Sequence, residues 1–321
     1  MNRSGQIFAV FETLNQALRQ AFVGILSGTP AARDAIVAVV AELQLHVAAD
    51  PDAALGLVHA LSPQPHSTAH PLYSAILTER IGARLGLGGS ERVPVVAAAL
   101  TCNLAMLPYE ERLLGQASRL SADQAKALRR HPDQGAMLLR TAGVASPTWL
   151  TIVKQHHERA DGSGYPEGLK GGQILRETRL VALTDSYLAL VCERAHRTRQ
   201  TPRTSIRQLF LEGQSEDPEL CAAFVKELGV YPPGSGVRLA NGELAVVVRR
   251  GASAQTPVVR ALRSPDGEPL RGRPVRETTE PAYAVSESML LSRRELGEPG
   301  ELWGAEPGNP ARQPESKRIT G

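Results

Sequence analysis

The sequence predicts an all-α fold with a small β element toward its C-terminal end, and three observations carry that prediction. Apolar residues recur at helical spacing along most of the chain up to Leu228, beginning with Ile7, Val10, Phe11, Leu14, Leu18, Phe22 and Ile25. Aromatic residues are 4% of the chain against 42% hydrophobic residues in all, so Ala, Leu and Val must fill the core. Those residues favour close-packed helices over aromatic-rich strands. Period-two alternation is confined to a short stretch after Tyr231-Pro232-Pro233-Gly234. At 321 residues the chain can bury a core without disulfide or metal staples.

The elements follow in order. A first helix is expected from Gln6 to Leu26, closed by Ser27-Gly28-Thr29-Pro30, and a second from Ala31 to about Ala49. Asp50-Pro51 supplies a cap and a first-turn proline for a third helix, ending near Leu61. Ser62-Pro63-Gln64-Pro65 then marks a boundary, which makes residues 1–64 an N-terminal helical region. Packing on the main domain and pairing with a second copy, as a homodimer, both fit this region. Pro71 can open the next helix, which Gly86, Gly88 and Gly89 close before Ser90 caps another. Ser121 opens a further helix, and His131-Pro132 is expected to break it, because a residue before proline is biased out of the helical region. Ser146-Pro147 restarts the pattern toward His156-His157. A long helix is expected from about Gln173 to Arg194, then shorter ones over Ser205 to Leu211 and Pro218 to Leu228, completing a helical domain over 65–229. Val237 to Leu239, an Asn241-Gly242 turn and Leu244 to Val248 read as a hairpin within a β extension over 230–275, and Val258 to Leu262 as a third strand. From 276 to 321 the composition turns to Glu, Gly, Pro, Ser and Arg, as expected of a mobile tail in which Met289-Leu290-Leu291 is the one docking candidate.

Charge and cysteine usage exclude several classes. Lys and Arg number 36 and Asp and Glu 33, a net charge of +3, and no basic block interleaves with aromatics. A DNA-binding role is therefore not expected. Cys102, Cys192 and Cys221 form no CxxC pair, which fits a reducing compartment. Glu12 and Arg19 interrupt the first apolar segment, unlike a signal peptide. The longest nearly apolar run, Val93 to Leu107, contains Thr101 and Asn103 and is too short to span a bilayer. A cytoplasmic protein without a membrane span is expected.

His66, His70, His131, His156, His157 and Asp185 are spread through the helical middle. Neutral imidazoles with a carboxylate suit Zn, Fe or Mn. Adjacent histidines on a helix point about 100° apart, so as ligands His156 and His157 would serve two ions, or two sides of one; spacing alone does not separate this from ordinary core or surface histidines. The run His156-His157-Glu158-Arg159-Ala160-Asp161-Gly162-Ser163-Gly164-Tyr165-Pro166-Glu167-Gly168-Leu169-Lys170-Gly171 is the most specific signal in the chain. In order and spacing it resembles the signature of the HD-GYP family, whose name-giving tripeptide falls on Gly164, Tyr165 and Pro166. The resemblance extends from about Pro65 to Arg260.

The resemblance implies an HD-superfamily helical bundle that carries two or three divalent ions, often Fe or Mn. Typical members hydrolyse cyclic-di-GMP to pGpG or GMP, using the ions to activate water and to neutralise phosphoryl oxygens. Carried over position by position, it places His70, His131, His156, His157 and Asp185 at ligand positions, with His66 as a further candidate. It also makes the Asp161, Gly162, Gly164, Tyr165 and Pro166 loop a substrate or partner element, an exposed tyrosine in a Gly-Pro frame being a docking anchor for proteins such as diguanylate cyclases. Arg194 and Arg197, in Arg194-Ala195-His196-Arg197, match an arginine element that contacts phosphate.

The departures are concentrated in Cys102-Asn103-Leu104-Ala105-Met106, which stands where the family has His-Asp, two spacers and Lys. Asn103 offers a neutral oxygen and an amide that repels cations, so it cannot bridge two ions. Cys102 is a thiolate ligand candidate for Zn or Fe, but on an Ala-rich helix it reads first as a small hydrophobe. Met106 supplies neither charge nor proton. A second family carboxylate is Leu188 here. The expected function is that of a degenerate HD-GYP protein of cyclic-di-GMP signalling, with metal at reduced occupancy or absent and hydrolysis weak or lost. The alternative is an active phosphodiesterase with an altered Cys-Asn metal site.

Overall fold

Three N-terminal helices, α1 (Gln6–Leu26), α2 (Ala32–Ala49) and α3 (Pro51–Ala60), pack directly onto α4 (Ala69–Arg84) and α5 (Gly89–Thr101). A computed structural model describes residues 6–60, 68–109, 121–192, 198–211 and 217–304. Leu14, Leu18, Phe22 and Ile25 of α1 share one continuous core with Ile36, Leu43, Leu72, Ile76, Val96 and Leu100. The helices α6 (Ala122–Thr141), α7 (Pro147–Gln155), α8 (Arg176–Val191), α9 (Pro202–Leu211) and α10 (Pro218–Leu228) complete the helical body. Their starts obey local rules: Ser121, Ser146 and Asp217 each accept a backbone N–H from the first turn, and Pro147 and Pro218 follow their caps. The segment Gly89–Tyr109 has the length and hydropathy of a membrane span, but it contains α5, whose Val95 to Thr101 lie buried in this core.

The fold is not all-α. After Leu228 the chain builds a five-stranded antiparallel sheet in the order β4-β3-β2-β1-β5, from β1 (Gly236–Leu239), β2 (Leu244–Arg249), β3 (Val258–Arg263), β4 (Val275–Glu277) and β5 (Val285–Met289). The Asn241-Gly242 turn and the third strand lie where the alternation places them. The segment expected to be a tail instead supplies most of β4, all of β5 and the short helices α11 (Arg293–Leu296) and α12 (Pro299–Gly304). Residues 305–321 lie outside the described residues. The reason is two-sided burial. Leu244, Val246, Val248 and Leu262 join the helical core, while Ala245, Val247 and Val259 face a second cluster with Tyr231, Val237 and Leu239. A sheet covered on both faces needs more strands than an appended hairpin.

Two devices fasten the sheet to the helices. The wholly buried Glu227 of α10 accepts hydrogen bonds from Arg80 at 2.6 and 2.8 Å and from Arg250, beyond β2, at 2.8 Å, and it also pairs with Arg84. Trp303 of α12 stacks on Phe8 with centroids 5.1 Å apart and donates its indole N–H to Val248 O at 2.8 Å. Gly56 makes room for it, since a Cβ there would lie 2.2 Å from the ring.

Candidate functional site

His131 stands on α6, which runs unbroken through Pro132. The expected break does not occur, for a specific reason. Proline has no N–H for the carbonyl four residues back, that of Leu128. The His131 ring fills the gap, its Nδ1 donating to Leu128 O at 2.5 Å. Because a carbonyl only accepts, this fixes the tautomer and leaves a lone pair on Nε2. His156 repeats the arrangement, Nδ1 donating to Val153 O at 2.7 Å. The two Nε2 atoms face each other 3.1 Å apart. Two lone pairs at that separation repel unless a cation lies between them. Nitrogens sharing one ion at about 2.0–2.1 Å, at tetrahedral or octahedral angles, would sit roughly 2.8–3.4 Å apart, so the pair fits a metal.

His157 completes a group whose ligand atoms all lie within 4.8 Å of one another. The 100° rule does not separate it from His156, because α7 ends at Gln155 and the two residues belong to the turn that follows. Their rings lie 4.1 Å apart. Burial, and then the neighbouring imidazole, hold His131 at about 4 and His156 at about 3. Burial likewise takes His157 to about 4. All three are neutral at physiological pH, the form that binds metals.

The other half of the site is built differently. Asp185 Oδ1, on α8, accepts from His70 Nε2 at 3.2 Å and from Asn103 Nδ2 at 3.1 Å. Burial opposes charge on His70, but its hydrogen bonds to Asp185 and Cys192 outweigh this and raise it to about 10. Burial also opposes charge on Asp185, and the His70 imidazole holds it well below the usual carboxylate range nonetheless. The same Asn103 amide lies 3.6 Å from Cys102 Sγ, and the thiol donates to Ala99 O at 3.7 Å. Burial pushes the Cys102 thiol up. Met106 is buried in the short turn Leu104–Met106, and Leu188 lies in the core. His66, Arg194 and Arg197 lie outside the described residues.

Beside the histidines, residues 158–171 form a tightly held loop. The buried Glu158 carboxylate accepts the backbone N–H groups of Glu167, Gly168 and Leu169 at 2.6, 3.2 and 2.9 Å. Asp161 accepts from the backbone N–H and hydroxyl of Ser163, and Gly162 turns the chain at φ 82°. A Cβ on Gly164 would lie 2.4 Å from Arg159 N, so no other residue fits. Pro166 follows a cis peptide bond. Tyr165 is not the exposed anchor that the sequence suggests. It is half-buried, stacked on His157 with centroids 4.7 Å apart at 27°, and Arg129 lies over it at 5.6 Å. A cavity of about 300 Å³ opens here, lined by His156, His157, Tyr165, Arg129, Arg159, Arg179 and Ser186 among others.

The family profile described as HD domain matches residues 58–220, about half of the chain. The chain is an HD-domain protein of the HD-GYP family. Cyclic di-GMP phosphodiesterase PA4108 of Pseudomonas aeruginosa is 30% identical to it over 227 residues, 70% of this chain and 55% of that protein. The 3'3'-cGAMP-specific phosphodiesterase 3 of Vibrio cholerae is 27% identical over 170 residues, 52% of this chain and 36% of that protein. The chain therefore spans only part of the length of these curated relatives. Among solved structures, Bd1817, a HDG"Y"P protein from Bdellovibrio bacteriovorus, aligns with a TM-score of 0.56 at 14% identity. That alignment covers 67% of this chain and 68% of that one, a likeness of fold.

Within this HD-GYP domain the arginines of the cleft were not singled out by sequence. Arg129, Arg159 and Arg179 come from α6, the loop and α8. Arg159 lies within the signature run, but Arg129 and Arg179 lie outside it, and only the fold brings the three to one cavity.

Proposed function

We propose that this HD-GYP protein binds a cyclic dinucleotide of the cyclic-di-GMP class and hydrolyses it weakly or not at all, serving cytoplasmic signalling through ligand and partner contacts. The observation that carries this reading is the hydrogen bond from Asn103 to Asp185. An amide N–H2 directed at that carboxylate stands where a second acidic side chain would otherwise face cations, and His70 donates to the same oxygen. One half of the pocket is thus closed by its own hydrogen bonds. His131, His156 and His157 would hold a single Fe, Mn or Zn ion, which when bound supplies positive charge against phosphoryl oxygens. That intact triad favours a second, weaker reading, in which a one-ion site retains slow hydrolysis. A diguanylate cyclase-type partner would meet the exposed rim of the loop at Asp161, Ser163 and Glu167.

Loss of supporting groups around a metal typically lowers affinity or activity by about 10–100-fold, and loss of a charge-stabilising group by a further ~10²–10³. Elemental analysis of the purified protein should find no more than one metal equivalent. Cyclic-di-GMP turnover with added Mn or Fe should fall at least 10²-fold below that of an intact family member. Joint replacement Cys102→His, Asn103→Asp and Met106→Lys should raise the stoichiometry. Two equivalents in the parent protein, with turnover near that of an intact member, would overturn the proposal.

A further inference from the structure

We infer that Arg129, Arg159 and Arg179 form an anion subsite that grips a phosphate of the bound cyclic dinucleotide directly, so that nucleotide binding does not require a metal ion. This deepens the cyclic dinucleotide reading above and rests on it. The three guanidinium groups line one cavity beside the histidine cluster. Among the described residues, no carboxylate forms an ion pair with any of them. Elsewhere the chain pairs its clustered arginines closely, as around Glu227. Arg159 also feels the charge of the nearby Asp161, but three cations in one concavity outnumber it and repel one another, and an anion relieves that repulsion.

Two of the three are held in place before any ligand arrives. Arg129 lies over the ring of Tyr165, which is also stacked on His157. The ring contact orients the arginine beside the histidine cluster. Arg179 donates through Nη2 to Gly171 O at 2.5 Å, while its Nε is buried with no hydrogen-bond partner. That Nε is shielded from water, so a phosphate in the cavity would meet the other N–H groups of the guanidinium. Phosphate oxygens match the guanidinium fork in both charge and geometry. With the Asn103 half of the pocket closed, these arginines, and not a cation pair, are the groups left to hold a phosphodiester.

The test is calorimetric titration of the whole chain with cyclic-di-GMP, pGpG and GMP, once in EDTA and once in Mn, for the parent and for Arg129→Gln, Arg159→Gln and Arg179→Gln. Cyclic-di-GMP affinity should agree within about threefold between EDTA and Mn, and each variant should weaken it about tenfold, the size of one charged hydrogen bond. Arg129 and Arg159 are exposed, so their variants should keep the parent's thermal melt even if Arg179→Gln does not. Binding that vanishes in EDTA, or that is unchanged in folded Arg129→Gln and Arg159→Gln, overturns the subsite. Arginine-dependent binding of GMP or pGpG without binding of cyclic-di-GMP upholds the subsite and removes the cyclic dinucleotide reading. No binding of any nucleotide removes both.

Discussion

At the scale of single residues, single atoms set the hydrogen bonds around this pocket. Asn103 differs from aspartate by an N–H2 in place of an oxygen, and that group donates to Asp185. Pro132 removes one N–H, and His131 answers by taking up the orphaned carbonyl. A third buried imidazole lies away from the pocket. His59 Nδ1 donates to Leu55 O at 2.7 Å and to Pro233 O at 3.0 Å, and its Nε2 accepts from the Tyr187 hydroxyl at 2.9 Å. Burial lowers its pKa from 6.5 to about 4. Between those values the unfolded chain takes up a proton that the folded chain refuses. Stability from this residue is therefore full above pH 6.5 and falls by about 1.4 kcal/mol per unit as pH drops toward 4. Urea denaturation of His59→Gln should lose about 2 kcal/mol less than the parent between pH 7.5 and pH 5. Equal losses would mean that the folded imidazole protonates. Of these features, the exchange at Asn103 could be read from its place in the motif. The partner of its amide could not, because Asp185 lies 82 residues away.

At the scale of elements, the loop after α7 behaves as a rigid unit because one carboxylate caps three consecutive backbone donors. Glu158→Ala should release it. Hydrogen exchange at Glu167, Gly168 and Leu169 should accelerate at least tenfold, with the amides of α4 and α8 unchanged, since the lost bonds are local. Unchanged exchange at those three amides would show that Gly164 packing alone holds the loop. The motif made this loop conspicuous in sequence, but the half-burial of Tyr165 depends on ring stacking that no spacing encodes. Helices with caps and 3.6-residue periodicity were readable, as was the Asn241-Gly242 hairpin. Strand β5, Val285-Ser286-Glu287-Ser288-Met289, was not. It is an edge strand, and its exposed Ser286 and Glu287 have the composition of a tail.

At the scale of the whole molecule, the sheet and the helices are joined around a carboxylate that water does not reach. Glu227 draws Arg80 and Arg84 from α4 and Arg250 from the end of β2, and Arg250 also reaches Asp52 of α3. Glu227→Ala would remove the buried carboxylate shared by three partly exposed arginines and should cost about 2–3 kcal/mol in urea denaturation, the size of a charged hydrogen bond or two. A loss below 1 kcal/mol would mean that the sheet docks by apolar contact alone. Helical periodicity could announce the bundle but not this clasp, whose members are separated by 143 residues in one pair and 147 in another. The strand order carries a consequence for biogenesis. Because β5 seals the outer side of β1, a nascent chain that has emerged through β4 still presents an unpaired row of β1 amides and carbonyls. Until Val285 to Met289 leave the ribosome, that edge is open to foreign strands, and it is there that a chaperone would be needed.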